Sequence, residues 1–245
     1  ACRILQQGGN AVDAAVAVAF AMAVTYPIAG NLGGGGFMLI RMANGQTTAI
    51  DYRETAPAAA TRDMYLDNEG KVVTEASTVG YRASGVPGTV AGLAMAHARF
   101  GRLPWKEVIE PARQLAANGF PVSAAFVESL NKKRDLLERF PETRRIFLNE
   151  GKGHRVGARF RQPELAATLA RLQRDGWREF YEGRTARLIA DDMRANDGLI
   201  TLEDLRHYRA VERVPLHGTY RGYELLTMPP PSSGGTVLIA MLNML

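Results

Sequence analysis

Gly33-Gly34-Gly35-Gly36-Phe37-Met38-Leu39-Ile40-Arg41-Met42 is followed by Asn44-Gly45 and then by Thr47-Thr48-Ala49-Ile50-Asp51-Tyr52-Arg53-Glu54-Thr55-Ala56-Pro57. Two short apolar runs separated by an Asn-Gly pair read as an antiparallel hairpin, because Asn and Gly tolerate the positive φ that a tight strand-to-strand turn requires. The second strand delivers Arg53 at its end. A guanidinium presents a planar fork that matches the two oxygens of a carboxylate, which a lysine ammonium does not. Asp51 and Glu54 flank Arg53, so two readings stand side by side: a structural ion pair, or a grip on the carboxylate of a ligand. The four glycines do not read as a phosphate loop. Such a loop runs from strand into helix to use the N–H groups at the helix start, and this one runs from helix into strand. Close approach of backbone segments is the better account of the glycines.

Upstream lies an alanine-rich apolar helix over 11–24, preceded by Gly8-Gly9-Asn10. Asn10 is placed to cap it, and Asp13 sits in its positive first turn. The stretch is shorter than the ~20 residues of a membrane span and carries Asp13, so no span is expected. Downstream, 58–84 reads as loop with a turn at Asn68-Glu69-Gly70. Helices follow at 89–100, 105–118 with Pro111 inside, 123–140, 163–174 and 183–196, forming a helical layer. Strands are expected over 213–216 and 220–228 around a His217-Gly218 turn, with an apolar helix starting near Thr236.

At 245 residues, with 46% hydrophobic and 22% charged, the chain can bury the core of one large domain or two small ones. The net charge of +5 is spread widely, with short clusters only at Lys132-Lys133-Arg134 and Arg144-Arg145. No aromatic residue interleaves these clusters, so they read as solvated helix faces and not as a nucleic-acid surface. Cys2 is the only cysteine, which excludes an internal disulfide and a cysteine metal site and fits either redox compartment. His97, His154, His207 and His217 are scattered without metal-ligand spacing. Ser232-Ser233 has no nucleophile-elbow pattern around it and reads as a turn cap. On residue chemistry alone the chain offers one candidate anion-gripping arginine and no complete catalytic group.

Six segments occur together and in order: Gly8-Gly9-Asn10-Ala11-Val12-Asp13-Ala14-Ala15, Gly30-Asn31-Leu32-Gly33-Gly34-Gly35-Gly36-Phe37-Met38, Asp51 to Pro57, Gly85-Val86-Pro87-Gly88-Thr89-Val90-Ala91-Gly92, Gly198-Leu199-Ile200-Thr201-Leu202-Glu203-Asp204-Leu205 and Pro229 to Gly235. This set resembles the gamma-glutamyltransferase (gamma-glutamyltranspeptidase) family. The resemblance implies an α+β N-terminal-nucleophile hydrolase fold, an αββα sandwich of two stacked antiparallel sheets between helical layers. In that family self-cleavage of a precursor yields a large and a small subunit. Residues 1–245 are similar to the large-subunit portion, so the expectation is a partial sandwich, truncated at both ends, with the small catalytic subunit absent.

The family's nucleophile is a threonine freed at the start of the small subunit within a Thr-Thr-His pattern. No such pattern occurs here, since the only Thr-Thr pair, Thr47-Thr48, precedes Ala49. The resemblance therefore implies no catalytic residue in this chain, no metal and no cofactor. It implies one substrate-binding residue, Arg53, matching the arginine that grips the α-carboxylate of the gamma-glutamyl group. It further implies a small subunit as partner, glutathione or another gamma-glutamyl donor, an amino acid, peptide or water as acceptor, and a periplasmic or secreted parent. Cephalosporin acylases and a capsule-processing transpeptidase share much of the pattern, so a glutaryl or polyglutamate donor is an alternative, as is a non-catalytic fragment that only binds a partner subunit.

Overall fold

The computed structural model describes residues 1–245. In chain order the elements are α1 (Cys2–Gln6), α2 (Ala11–Thr25), β1 (Phe37–Arg41), β2 (Thr47–Asp51), α3 (Thr89–Phe100), α4 (Trp105–Asn118), β3 (Phe120–Pro121), α5 (Ala124–Lys132), α6 (Arg134–Glu138), α7 (Pro141–Phe147), β4 (Arg159–Phe160), α8 (Pro163–Asp175), α9 (Glu179–Glu182), α10 (Arg184–Ala195), α11 (Leu202–His207), β5 (Val211–Arg213), β6 (Leu216–Tyr220), β7 (Tyr223–Thr227) and α12 (Ser233–Asn243). They fall into two compact units, one of residues 1–31 with 102–176 and one of residues 32–101 with 177–245.

The first unit is helical. Asn10 accepts the Val12 and Asp13 N–H groups, while Asp13 accepts the Asn10 N–H, a capping box that starts α2. The buried Asp13 carboxylate also takes the Arg102 N–H on both oxygens at 3.0 Å. The alanines of α2 let it pack closely on α4, and α4 packs in turn on α8. Val16, Phe20, Val24, Val108, Ile109, Leu169 and Leu172 are fully buried there. Phe20 meets Trp105 edge-on at 5.5 Å, and the Trp105 indole donates to the Leu172 carbonyl at 2.9 Å. The single helix expected over 123–140 is instead α5 and α6, broken at Lys133, followed by an unanticipated α7. Arg134 begins the new helix with its guanidinium held by Glu138 and the Gly151 carbonyl. Phe140 is extended, as a residue before proline prefers, and Pro141 occupies the first turn of α7.

The second unit carries the hairpin. β1 and β2 pair from Phe37↔Asp51 to Arg41↔Thr47, with Gly45 at φ +86° and the Asn44 side chain accepting the Gln46 N–H at 3.0 Å. β5 extends this to a three-stranded sheet, Ala49 facing Arg213 and Asp51 facing Val211, and α3 packs against β2. The later strands differ from expectation. His217 and Gly218 lie inside β6, and the turn falls at Arg221-Gly222, φ +47° and +83°, which join β6 to β7. Gly218 is a close-packing position, because a Cβ there would meet the Ile239 side chain at 3.0 Å. α12 starts at Ser233, so Gly234 and Gly235 are helical. A Cβ at Gly235 would strike Thr227 and the Met228 carbonyl, which is why a loop-like glycine pair sits in a helix here. Ser232 occupies the N-cap of α12, but its side chain makes no capping hydrogen bond, contrary to the capping role expected for it. The molecule is α+β, with the sheets of the expected sandwich present in part.

Candidate functional site

Arg53 follows β2 directly, and its main chain is held at both ends. The Asp51 Oδ1 accepts the Arg53 N–H at 3.1 Å, and the Tyr208 hydroxyl donates to the Arg53 carbonyl at 2.8 Å. The other oxygen of the buried Asp51 accepts from Arg213 Nε at 2.8 Å. Asp51 is therefore engaged by β5 and does not pair with the Arg53 side chain. The Arg53 guanidinium lies 5.7 Å from the Phe37 ring centroid, reaches Glu54 only at a long 3.4 Å, and is 56% exposed. An exposed ion pair of that length contributes at most about 1 kcal/mol. One N–H faces Glu54, and the planar fork keeps further donors for an incoming carboxylate.

The glycine motifs form the bed beneath this segment. Gly36 exchanges backbone hydrogen bonds with Tyr52, at 3.2 and 2.9 Å, carrying the hairpin pairing one residue further. At Gly35 a Cβ would meet the Tyr52 carbonyl and, at 2.9 Å, the Arg53 Cα. Gly88 would collide with Tyr52 and with the Tyr208 hydroxyl, and Gly92 with the Tyr52 ring. The Gly34 carbonyl accepts the N–H groups of Gly88 and Thr89 at 2.8 and 2.9 Å, joining the two glycine motifs at the start of α3. Thr55 bridges to Val86, and Asp204 accepts the Ala58 N–H at 2.7 Å beyond Pro57. Motifs separated by tens of residues thus converge on Tyr52-Arg53. Gly33 is an exception, with open space where its Cβ would be.

Two tyrosines complete the support. Tyr208 stacks on Tyr181 at 5.7 Å, and the Tyr181 hydroxyl donates to the Pro87 carbonyl at 3.0 Å while accepting the Ala91 N–H at 3.1 Å. Burial, reinforced by the negative charges of Asp51 and Glu54, pushes the Tyr208 phenol well above its ordinary value and keeps it a donor. Neither Tyr208 nor Arg213 carries a sequence signal of its own, and both were missed from sequence. Thr48, the second residue of the Thr-Thr pair, is buried and donates to Glu212 at 2.7 Å, a structural contact and not that of a nucleophile.

The fold is that of the N-terminal-nucleophile hydrolases, present here in part. The chain belongs to the gamma-glutamyltranspeptidase family, whose family model matches residues 1–245. The glutathione hydrolase proenzyme of Escherichia coli K12 is 51% identical over 243 residues, covering 99% of this chain and 42% of that protein. An acylase ACY 1 proenzyme of Pseudomonas sp. strain V22 is 41% identical over 249 residues, covering 99% of this chain and 45% of that protein. The crystal structure of Helicobacter pylori gamma-glutamyltranspeptidase superposes with a TM-score of 0.96 at 45% identity, covering 98% of this chain and 69% of that one. The chain spans about two fifths of the length of the curated relatives it matches.

Proposed function

We propose that these residues form the large-subunit part of a gamma-glutamyltransferase or glutathione hydrolase, with Arg53 binding the α-carboxylate of the gamma-glutamyl donor. The observation that carries this reading is the state of Arg53: its backbone is clamped, Asp51 is engaged by Arg213, and its guanidinium is left more than half exposed. Residues 1–245 contain no Thr-Thr-His pattern, so the nucleophile is assigned to a small subunit that pairs with this one. There a threonine hydroxyl attacks the gamma-amide carbonyl, its own amine taking the proton and backbone donors holding the oxyanion; the amide C–N bond then breaks and the amine leaves with that proton, giving a glutamyl-enzyme ester. Water then releases glutamate from the glutamyl-enzyme, whereas an amino acid or peptide amine completes a transpeptidation. Glutathione is the proposed donor, and the periplasm or the cell exterior the proposed setting.

The greater likeness to the glutathione hydrolase than to the acylase favours a gamma-glutamyl over a glutaryl donor. The test uses the full-length, self-cleaved parent, assayed with glutathione, a glutaryl amide and a polyglutamate in parallel. Arg53→Lys is expected to raise the donor KM while leaving self-cleavage on a gel unchanged, because cleavage of the precursor involves no donor carboxylate. An unchanged KM for every donor would make Arg53 a structural residue.

A further inference from the structure

We infer that Tyr208 is a positioning residue for Arg53: its hydroxyl and the Asp51 carboxylate together fix the peptide from which the guanidinium fork projects. The inference rests on the reading of Arg53 as the donor-carboxylate ligand. An arginine side chain has many rotamers open to it, and a bidentate grip requires the fork to be held within roughly 0.5 Å of its working geometry. A long, half-exposed side chain does not secure that by itself, so the anchoring of its Cα matters. The clamp is built for that purpose on both sides. Tyr208 is 4% exposed and donates to the Arg53 carbonyl at 2.8 Å, while Asp51 accepts the Arg53 N–H at 3.1 Å.

Each half of the clamp is itself held. The Tyr208 ring is stacked on Tyr181, and Gly88 leaves room for the hydroxyl where a Cβ would collide with it. Asp51 is oriented by Arg213 Nε at 2.8 Å. Tyr208 and Arg213 lie on one short stretch that leads from α11 into β5. A single segment, 155 and 162 residues from the groups it bonds, therefore supplies one restraint on the arginine, Tyr208, and holds the other, Asp51, in place. Tyr208 touches the Arg53 backbone and not its guanidinium, so it acts through Arg53.

The experiment measures donor KM, kcat, melting temperature and self-cleavage for full-length wild type, Tyr208→Phe, Arg53→Lys and the double variant. Tyr208→Phe removes one hydroxyl and keeps the stacked ring, and it is expected to raise the donor KM about five- to tenfold with kcat within about twofold, as for loss of uniform binding. In the Arg53→Lys background the same change is expected to be nearly silent, because residues that act through one another are not additive. A lowered melting temperature with unchanged KM overturns the inference and makes Tyr208 purely structural. Independent, multiplying KM effects overturn it too, since Tyr208 would then act by another route. If Arg53→Lys raises KM and Tyr208→Phe does not, only the inference fails; if Arg53→Lys leaves KM unchanged, the carboxylate reading falls and the inference with it. Should Tyr208→Phe give no folded enzyme, Arg213→Lys takes its place: a selective rise in KM supports the clamp, and an unchanged KM overturns it.

Discussion

A guanidinium with a fixed partner serves stability, and one without a close partner is free to serve binding; Arg113 and Arg53 represent the two cases. Arg113 holds Glu110 with two hydrogen bonds of 2.8 and 2.6 Å, and Gln114 and Gln173 add two more at 2.9 Å each. The Arg113 contact, more than the glutamines and against a burial effect of opposite sign, holds the Glu110 carboxyl down at about 2. A carboxyl whose folded value is depressed contributes stability above its unfolded value of about 4.3 and loses it as pH falls through the folded value. Glu110→Gln is therefore expected to lower the melting midpoint at pH 7, by the equivalent of about 1 kcal/mol after allowance for partial exposure, with the gap closing between pH ~4.5 and ~2. A gap of equal size at both ends of that range would contradict this account. At Arg53 the corresponding contact to Glu54 is 3.4 Å, so the charge is available to a ligand. Arg53→Lys should then cost a charge-assisted hydrogen bond of about 1.5 to 3 kcal/mol, a donor KM roughly ten- to hundredfold higher.

Helices α2 and α3 each depend on one residue that an isolated helix would not need. Asp13 caps α2 and, fully buried, also receives the Arg102 N–H, so its removal leaves part-buried backbone donors at Asn10 and Arg102 without that acceptor. Asp13→Ala is expected to destabilise the protein by about 3 kcal/mol, against about 1 kcal/mol for Asn10→Ala, with thermal or urea denaturation ranking the two. Equal losses would mean that Asp13 acts as a helix cap alone. Gly92 reverses an ordinary rule. Gly→Ala inside a helix usually stabilises by about 1 kcal/mol, but here the added methyl would run into the Tyr52 ring. Gly92→Ala is expected to destabilise by about 2 kcal/mol or more, and to raise the donor KM because Tyr52 adjoins Arg53. A stabilised Gly92→Ala variant would show that the bed beneath Tyr52 yields easily.

Across the whole chain, the threonine hydroxyls that meet a carboxylate, Thr48 on Glu212, Thr185 on Glu179 and Thr201 on Asp204, sit in strand, helix-start and capping contacts, and no Thr-Thr-His pattern occurs. The isolated 245-residue chain is expected to give no turnover of a chromogenic gamma-glutamyl anilide; turnover abolished by an internal Ser or Thr substitution would refute this. Apolar surface is also left open. Val237, Leu238 and Met241 on α12 are exposed, as are Leu39 on β1 and Val211 on β5. β1 and β5 are the two edges of the three-stranded sheet, and exposed apolar side chains at sheet edges promote association. The isolated chain is expected to bind an apolar dye and to self-associate in light scattering, and a monodisperse, cooperatively unfolding monomer would contradict that.

The sequence alone determined what depends on neighbours a few residues away. The Asn10 cap, the Asn44-Gly45 hairpin and the limits of α3 and α4 follow from capping, turn chemistry and helical periodicity, all of which act over one or two turns. Family resemblance singled out Arg53, but local sequence left its partner open between Asp51, Glu54 and a ligand. Only the tertiary structure took Asp51 out of that choice, because the residue engaging its carboxylate is Arg213, 162 positions away on β5. It also decided what the glycines do. Gly218 and Gly235 read locally as breaks, yet one lies in β6 and the other in α12. The missing Cβ is the same in a turn and in a tight contact, and what lies opposite it is set by chain segments distant in sequence.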